Sequence, residues 1–180
     1  MLGHSALVGR FSFTLFQFCY TSFMYEIKNV EEKDLSKLAE IMATVFTITD
    51  PDKPWDKEFA YKYLEYWFKK QPDMFLVSFD SEGNPVGAMA VNIKPWRTGV
   101  RCSDGVVFVD TKYQKQGIAR ALFKKVIGEA MGKYNAIDFE AVTFAGSEFP
   151  LSWYKQIGIN PDEHVVLIKG KCADILANLG

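Results

Sequence analysis

The sequence predicts an α/β (mixed α+β) fold in which helices cover a mixed, mostly antiparallel sheet. The apolar segments "MFLVSF" and "VGAMAVNI" flank the turn sequence "DSEGN", which is typical of a β-hairpin. Further along, the apolar strand "VVFV" leads through a short polar loop into an amphipathic helix and then into "AIDFEAVTF". A strand–helix–strand crossover with hairpins beside it predicts about six to seven strands flanked by about four helices.

The part of the chain before this hairpin is predicted to contain one strand and two helices. The strand is "MYEIKNV" (Met24–Val30). Apolar residues recur at helical spacing over Glu31–Phe46 and again over Lys57–Lys70. The intervening "TITDPDKPWD" contains two prolines and several acids, so it is predicted to be a loop.

The clearest helix follows the polar loop, because its apolar positions form two adjacent rows. One row is Ile118, Leu122, Val126 and Ala130, and the other is Ala119, Phe123, Ile127 and Met131. Before it, Trp96–Gly105 is predicted to be a loop and Val106–Val109 a strand. After it, Pro150–Gln156 is predicted to be a short helix, and "HVVLIKG" is predicted to be the last strand.

Composition and charge fit one soluble globular domain. The 180 residues allow one sizeable core, and 48% hydrophobic with 24% charged residues is ordinary. A net charge of −1 and scattered lysines and arginines argue against nucleic acid or an anionic membrane as partner. Cys19, Cys102 and Cys172 are widely spaced, which predicts free thiols in a reducing compartment, the cytoplasm. With only two histidines beside them, no metal site is expected.

Residues 1–23 differ from the rest, since they contain no acid, one arginine and many phenylalanines. Their apolar part, Phe11–Phe23, falls short of the ~20 residues that span a bilayer. We expect a leader or extension outside the core. The alternatives are a weak targeting segment or a membrane anchor.

The sequence "QKQGIA" (Gln114–Ala119), between the strand and the helix, predicts an anion site. A helix N-terminus leaves four backbone N–H groups without partners, and the helix dipole adds partial positive charge there. Gly117 removes a side chain where an anion would approach the backbone, and Lys115 and Arg120 add charge. The alternative is an ordinary strand-to-helix turn. Neither a Walker loop nor a dinucleotide-binding fingerprint is present.

These segments resemble the GNAT N-acetyltransferase superfamily. Gln114–Ala119 matches its central motif [QR]-x-x-G-x-[GA], and "WYKQIGI" (Trp153–Ile159) is similar to its late F-Y-x-x-x-G-F segment. "YEIKNVEEKDLSKLAEI" and "FLVSFDSEGNPVGAMAV" are similar to its first strand and helix and to its second and third strands. The resemblance spans about Met24–Lys171 and implies that residues 24–180 form a single GNAT acetyltransferase domain. Thr111 and Ser147 depart from the proline and asparagine that many members have there.

The resemblance implies transfer of an acetyl group from acetyl-CoA to a primary amine of a small molecule or peptide, by direct attack, in a monomer or homodimer. It implies that the main chain of Val107, Phe108 and Val109 and a polar contact from Ser147 hold the pantetheine side of the co-substrate. It assigns the pyrophosphate to Gln114, Lys115, Gln116, Gly117, Ile118, Ala119 and Arg120. Tyr154 matches the late tyrosine, the candidate acid that protonates the departing thiolate.

Three questions stay open at this level. The general base can be Asp104, Asp110, Glu140 or water. Acids beside an aromatic ring (Asp50, Asp52, Trp55 and Asp56) suit a cationic acceptor, whereas Arg97 and Arg101 favour one that carries a carboxylate. The domain can also be a GNAT-like protein that binds or senses acyl-CoA without catalysis.

Overall fold

The computed structural model describes residues 25–143 and 148–179, so the predicted leader, residues 1–23, and Ser147 lie outside the described residues. The described chain divides into two compact units, one up to Glu140 and one from Ala141 onward. No helix within the described ranges is long and apolar enough to cross a membrane.

The first unit is built on a sheet of five strands. These are β1 (Glu26–Asn29), β2 (Phe75–Phe79), β3 (Pro85–Trp96), β4 (Gly99–Val109) and β5 (Ala136–Phe139), and they lie in this order. The pairs from β1 to β4 are antiparallel, whereas β4 and β5 are parallel. The crossover between β4 and β5 is the helix α3 (Ile118–Tyr134), as predicted. The mixed, mostly antiparallel sheet is thus confirmed, with fewer strands in the described residues than the six to seven expected.

Helices cover both faces of this sheet. The helices α1 (Leu35–Thr49) and α2 (Lys57–Lys70) pack on one face. The apolar core of that face consists of Leu38, Met42, Leu64, Trp67, Phe75, Val77, Ala88, Ala90, Val106 and Phe108. Alternate strand residues such as Leu76 and Met89 are equally buried, and they point to the opposite face, where α3 packs. The strand and helix periods in the sequence correctly identified these apolar faces.

The predicted loop over Trp96–Gly105 is wrong, because β3 and β4 form a long hairpin that turns between Trp96 and Gly99. The guanidinium of Arg101 lies 4.7 Å from the ring centroid of Trp96, and the ammonium of Lys94 lies 5.4 Å from it. The contact of Arg101 with Trp96 joins the two strands, and that of Lys94 lies along β3. Both stabilise a polar hairpin end, whose composition is typical of a loop.

The second unit contains α4 (Glu148–Gln156) and α5 (Cys172–Asn178). The helix α4 matches the predicted Pro150–Gln156, whereas α5 was not predicted. The predicted last strand, residues 164–170, is wrong, since this segment has no regular structure and is exposed. Its apolar run has strand-like composition. A strand also needs a hydrogen-bonded neighbour, and the described part of this unit contains no other strand.

Candidate functional site

The strands β4 and β5 separate part-way along their length. They pair through Val100, Arg101 and Cys102, and the last contact is the bond from the amide of Glu140 to the carbonyl of Cys102, at 2.9 Å. Beyond this point β4 continues to Val109, and in the described residues no strand pairs with its outer edge. The result is a fork with one exposed strand edge.

The exposed edge offers main-chain groups of two of the three predicted strand residues. The amide of Asp110 donates to Val86 at 2.8 Å, so the backbone groups of Asp110 and Phe108 face β3. By alternation, those of Val107 and Val109 face the fork. The side chain of Phe108 is instead buried in the core against Phe46. A ligand lying along this edge would therefore bond Val107 and Val109 rather than Phe108.

The polar loop after β4 ends with the left-handed residue Gly117 as the N-cap of α3. Gly117 has φ +86°, and Lys115 before it has φ +61°. The first backbone bond of the helix runs from Ala121 to the carbonyl of Gly117, at 3.0 Å. The amides of Ile118, Ala119 and Arg120 precede that bond, and no side chain caps the helix. These amides have no partner within the helix, an arrangement that suits an anion.

The space around Gly117 fits a phosphate-bearing ligand. A Cβ placed on this glycine would have no atom within 4 Å, so the backbone here is open rather than packed. The side chains of Lys115 and Arg120 are exposed on either side of it. Glycine is required here by the positive φ, and the open space lets an anion approach the amides.

The side chains of the two glutamines in the loop bond main-chain carbonyls nearby. Nε2 of Gln114 donates to the carbonyl of Val109 at 3.0 Å, and Nε2 of Gln116 donates to that of Lys112 at 3.2 Å. The hydroxyl of Tyr25 donates to Oε1 of Gln116. Both glutamine side chains thus brace the loop by bonding main-chain carbonyls. The Gln114 bond also brings the loop together with the end of β4.

A contact with the β2–β3 turn holds the same loop, and the sequence analysis missed it. The hydroxyl of Tyr113 donates to Oδ2 of Asp80 at 3.1 Å, and the ring of Tyr25 packs edge-on against Tyr113. Backbone bonds from the turn, that of Asn84 first, lower the pKa of the Asp80 carboxyl. The bond to Asp80 raises the pKa of Tyr113, so the phenol stays a donor. The acid in "DSEGN" signals a turn but gives no sign of this partner.

The candidate acid Tyr154 lies in α4 of the second unit. Its side chain is half-buried, with the ring of Trp153 beside it at 5.3 Å between centroids. Burial raises the pKa of its hydroxyl, and a hydrogen bond with Thr143 opposes that effect. The phenol therefore remains protonated at neutral pH, as an acid must be before it gives up its proton. The helix α4 ends at Gln156, two residues after Tyr154, and the left-handed Gly158 follows.

Two of the three candidate carboxylates cap a turn or form ion pairs. Asp110 caps a short 3₁₀ turn by accepting from the amide of Lys112 at 3.0 Å. Glu140 pairs with Lys94 at 2.6 Å and with Arg101 at 2.5 Å. The bond from Lys94, followed by that from Arg101, lowers the pKa of Glu140 and makes it a weak base. Asp104 is exposed and has no ion-pair partner among the described residues.

The loop between α1 and α2 is held in place by Trp55. The ring of Trp55 packs on Phe46 and Tyr63 at 5.8 and 5.5 Å between centroids, and its amide donates to Thr47 at 2.9 Å. Asp56 caps α2, whereas Asp50 and Asp52 lie at the end of α1 and on the exposed turn after it. Within the described ranges, no cluster of three or more metal-ligating side chains is present.

Comparison with known proteins agrees with this geometry. The family model described as acetyltransferase (GNAT) family matches residues 35–158, more than half of the chain. None of the curated proteins matches the chain in sequence.

Similar solved structures include a possible acetyltransferase from Clostridium difficile 630, at TM-score 0.69 and 15% identity, covering 82% of this chain and 98% of that one. A predicted acetyltransferase from Clostridium acetobutylicum, solved with acetyl-CoA, has a TM-score of 0.63 at 15% identity and covers 81% and 96%. An aminoglycoside 6'-N-acetyltransferase from Acinetobacter baumannii has a TM-score of 0.64 at 15% identity and covers 82% and 98%. At such identities the likeness concerns the fold, and the family model adds the sequence match. The chain belongs to the acetyltransferase (GNAT) family.

Proposed function

We propose that this protein is a cytoplasmic N-acetyltransferase that moves an acetyl group from acetyl-CoA to the primary amine of a small molecule or peptide. The observation that carries the proposal is the juxtaposition of two binding elements in the first unit. The uncapped amides of Ile118, Ala119 and Arg120 lie next to the open edge of β4, and Gln114 joins the two. One element suits a pyrophosphate and the other an extended amide-containing arm.

In this proposal the backbone of the loop from Gln114 to Arg120 binds the pyrophosphate, with Lys115 and Arg120 adding positive charge. The main chain of Val107 and Val109 bonds the pantetheine arm as an added strand would. These contacts hold the thioester in a fixed direction along the fork, which lowers the entropic cost of attack by the amine.

The acceptor nitrogen then attacks the thioester carbonyl carbon with its lone pair. The C–N bond forms, the C–S bond breaks, and the thiolate leaves with the electron pair of that bond. An outward-facing amide near Val109 is placed to donate to the carbonyl oxygen as it gains negative charge. Tyr154, which matches the late tyrosine of the family motif, protonates the thiolate.

The test is release of free thiol from acetyl-CoA, measured with a panel of primary amines, peptides and aminoglycosides. Amine-dependent release together with an N-acetylated product supports the proposal. Tight CoA binding without release for any acceptor would favour the alternative, a domain that senses acyl-CoA without catalysis. Absence of CoA binding would overturn both.

A further inference from the structure

A β-bulge in β4 presents Asp104 at the fork. Ala90 pairs with Val106 and Asn92 pairs with Ser103, so Val91 alone faces both Asp104 and Gly105. Asp104 takes the left-handed conformation with φ +57° and is exposed. The bulge comes directly after Cys102, the last residue of β4 that pairs with β5. Bulges of this kind redirect a side chain out of the regular alternation, often beside active sites.

Hydrogen bonds orient the Asp104 carboxylate. The hydroxyl of Ser103, which is fully buried, donates to its Oδ2 at 3.1 Å. The side-chain amide of Asn92 on β3 is placed to donate in turn to that hydroxyl, at 3.4 Å. Because Ser103 contacts only Oδ2, the carboxylate keeps acceptor capacity for a cation.

The other carboxylates near the fork are already paired. Asp138 lies 3.3 Å from Arg101, Glu140 bridges Lys94 and Arg101, and Asp110 caps the turn after β4. Arg101 is therefore neutralised and does not form a site for a substrate carboxylate. Of the four carboxylates described at this end of β4 and β5, Asp104 is therefore the one with neither an ion-pair partner nor a capping role.

The negative charge of Asp104 acts on Tyr63 of α2, whose ring belongs to a cluster of aromatic residues. Burial raises the pKa of the Tyr63 hydroxyl, and the negative charge of Asp104 raises it further. The Tyr63 ring packs on Trp55 and on Trp67, at 5.5 and 6.2 Å between centroids. An acceptor whose ammonium reaches Asp104 would therefore have aromatic surface beside it.

We propose that Asp104 receives the ammonium of the acceptor, and that the site takes primary amines with no carboxylate on the carbon that bears the nitrogen. This inference rests on the proposed acetyl transfer and names the acceptor class for it. A carboxylate on that carbon would lie close to Asp104, and like charges brought together at a binding site repel strongly.

The proposal also assigns the proton on the acceptor. The ammonium gives one proton to the Asp104 carboxylate, the neutral nitrogen keeps the electron pair of that N–H bond, and this pair forms the new C–N bond. The nitrogen, which is positively charged once this bond has formed, loses its second proton to water, and water restores the proton that Tyr154 gave to the thiolate. The protonated Asp104 returns its proton to water after the product leaves.

The experiment compares amines with the amino acids that differ from them only by the carboxylate: phenethylamine with phenylalanine, histamine with histidine, and tyramine with tyrosine. The full chain is assayed for kcat/KM with each, and calorimetry measures amine binding in the presence of CoA. For the wild type we expect at least one amine to exceed its amino acid by about tenfold or more.

Two variants separate charge from shape. Asp104→Asn keeps the size and tolerates a positive φ, but it removes the negative charge. We expect it to bring the ratio of amine to amino acid close to one, with the Kd for acetyl-CoA unchanged. The control Glu26→Gln removes an exposed carboxylate of β1, at the opposite edge of the sheet, and should leave the ratio at the wild-type value.

The outcomes distinguish this inference from the proposed function. The role of Asp104 would be overturned if the wild type acetylated amines but preferred the amino acids. It would also be overturned if the ratio of kcat/KM for amine to amino acid stayed at the wild-type value in Asp104→Asn. Either result would leave acetyl transfer standing. A wild type that binds CoA but neither binds nor acetylates any member of the pairs would overturn the inference together with transfer to small amines.

Discussion

The hydroxyl of Tyr113 lies 3.1 Å from Oδ2 of Asp80, and this bond joins the loop before α3 to the turn between β2 and β3. The turn is itself held by the same carboxylate, which accepts from the amides of Glu82 and Asn84, each at 2.9 Å. The loop before α3, which is the candidate site for the pyrophosphate, is therefore held partly by a turn residue 33 positions earlier in the chain.

Tyr113→Phe should weaken acetyl-CoA binding without unfolding the protein. The ring and its packing against Tyr25 remain, and only the donor to Asp80 is lost. We expect the Kd for acetyl-CoA to rise roughly two- to fivefold, the size of one hydrogen bond that organises a site. Calorimetry measures this directly.

The matched control is Tyr66→Phe, since Tyr66 is an exposed tyrosine of α2 whose hydroxyl bonds only Lys70 among the described residues. It should leave the Kd unchanged. An unchanged Kd in Tyr113→Phe as well would mean that the loop holds its shape without the β2–β3 turn.

Glu140→Gln should destabilise the protein near neutral pH and have little effect in acid. Bonds from Lys94 and Arg101 lower the pKa of Glu140 below its usual 4.5. A lowered carboxyl pKa gives stability that is present above pH 4.5 and is lost as the pH falls through the folded-state pKa. Because Glu140 is 40% exposed, we expect a loss of about 1 kcal/mol or less at neutral pH.

Urea unfolding of Glu140→Gln and wild type, at pH 7 and at about pH 3, measures this difference. Glu163→Gln replaces an exposed glutamate of the second unit and should show no difference at either pH. A deficit in Glu140→Gln that stays equally large in acid would show that packing rather than charge is lost.

Tyr154→Phe should lower the turnover number by ~10²–10⁴-fold if the tyrosine protonates the leaving thiolate. The ring and its contact with Trp153 are retained, so the melting temperature should shift little. The Michaelis constant for acetyl-CoA should hardly change, because the lost interaction belongs to the transition state. Steady-state kinetics with the best acceptor gives both values. Full activity in the Phe variant would make Tyr154 a packing residue and leave the thiolate to water.

Sequence patterns predicted much of the core of the fold, because the apolar residues of a helix recur with the helical period and those of the buried strands form short apolar runs. The first predicted row of α3 (Ile118, Leu122, Val126 and Ala130) and the apolar run of β2 are buried as expected, whereas the second row of α3 is buried only at Phe123 and ends at the exposed Met131. The β3–β4 hairpin was missed because Trp96, Lys94 and Arg101 stabilise each other across strands, and composition does not encode such pairs. The opposite error occurred at residues 164–170, where an apolar run has the composition of a strand but no described neighbour to pair with.

The site was predictable where it depends on backbone near one glycine. Gly117 signalled the left-handed N-cap of α3, and the structure has that conformation there. The side-chain partners were not predictable, because Tyr25 and Asp80 approach the loop from segments distant in sequence. The role proposed for Asp104 depends on a bulge in the polar half of β4, a segment whose composition is typical of a loop rather than of a paired strand.

The most direct test of acetyl-CoA binding at this loop is calorimetric titration of acetyl-CoA into wild type, Gly117→Gln and Gly117→Glu. Both variants carry the same strain from a side chain at φ +86°, and neither meets a neighbouring atom at Cβ, so both should fold. They differ only in charge at the point where the pyrophosphate would contact the amides. We expect Gln to weaken binding and Glu to abolish it. A folded Glu variant that binds acetyl-CoA as tightly as wild type would contradict the assignment of the pyrophosphate to this loop.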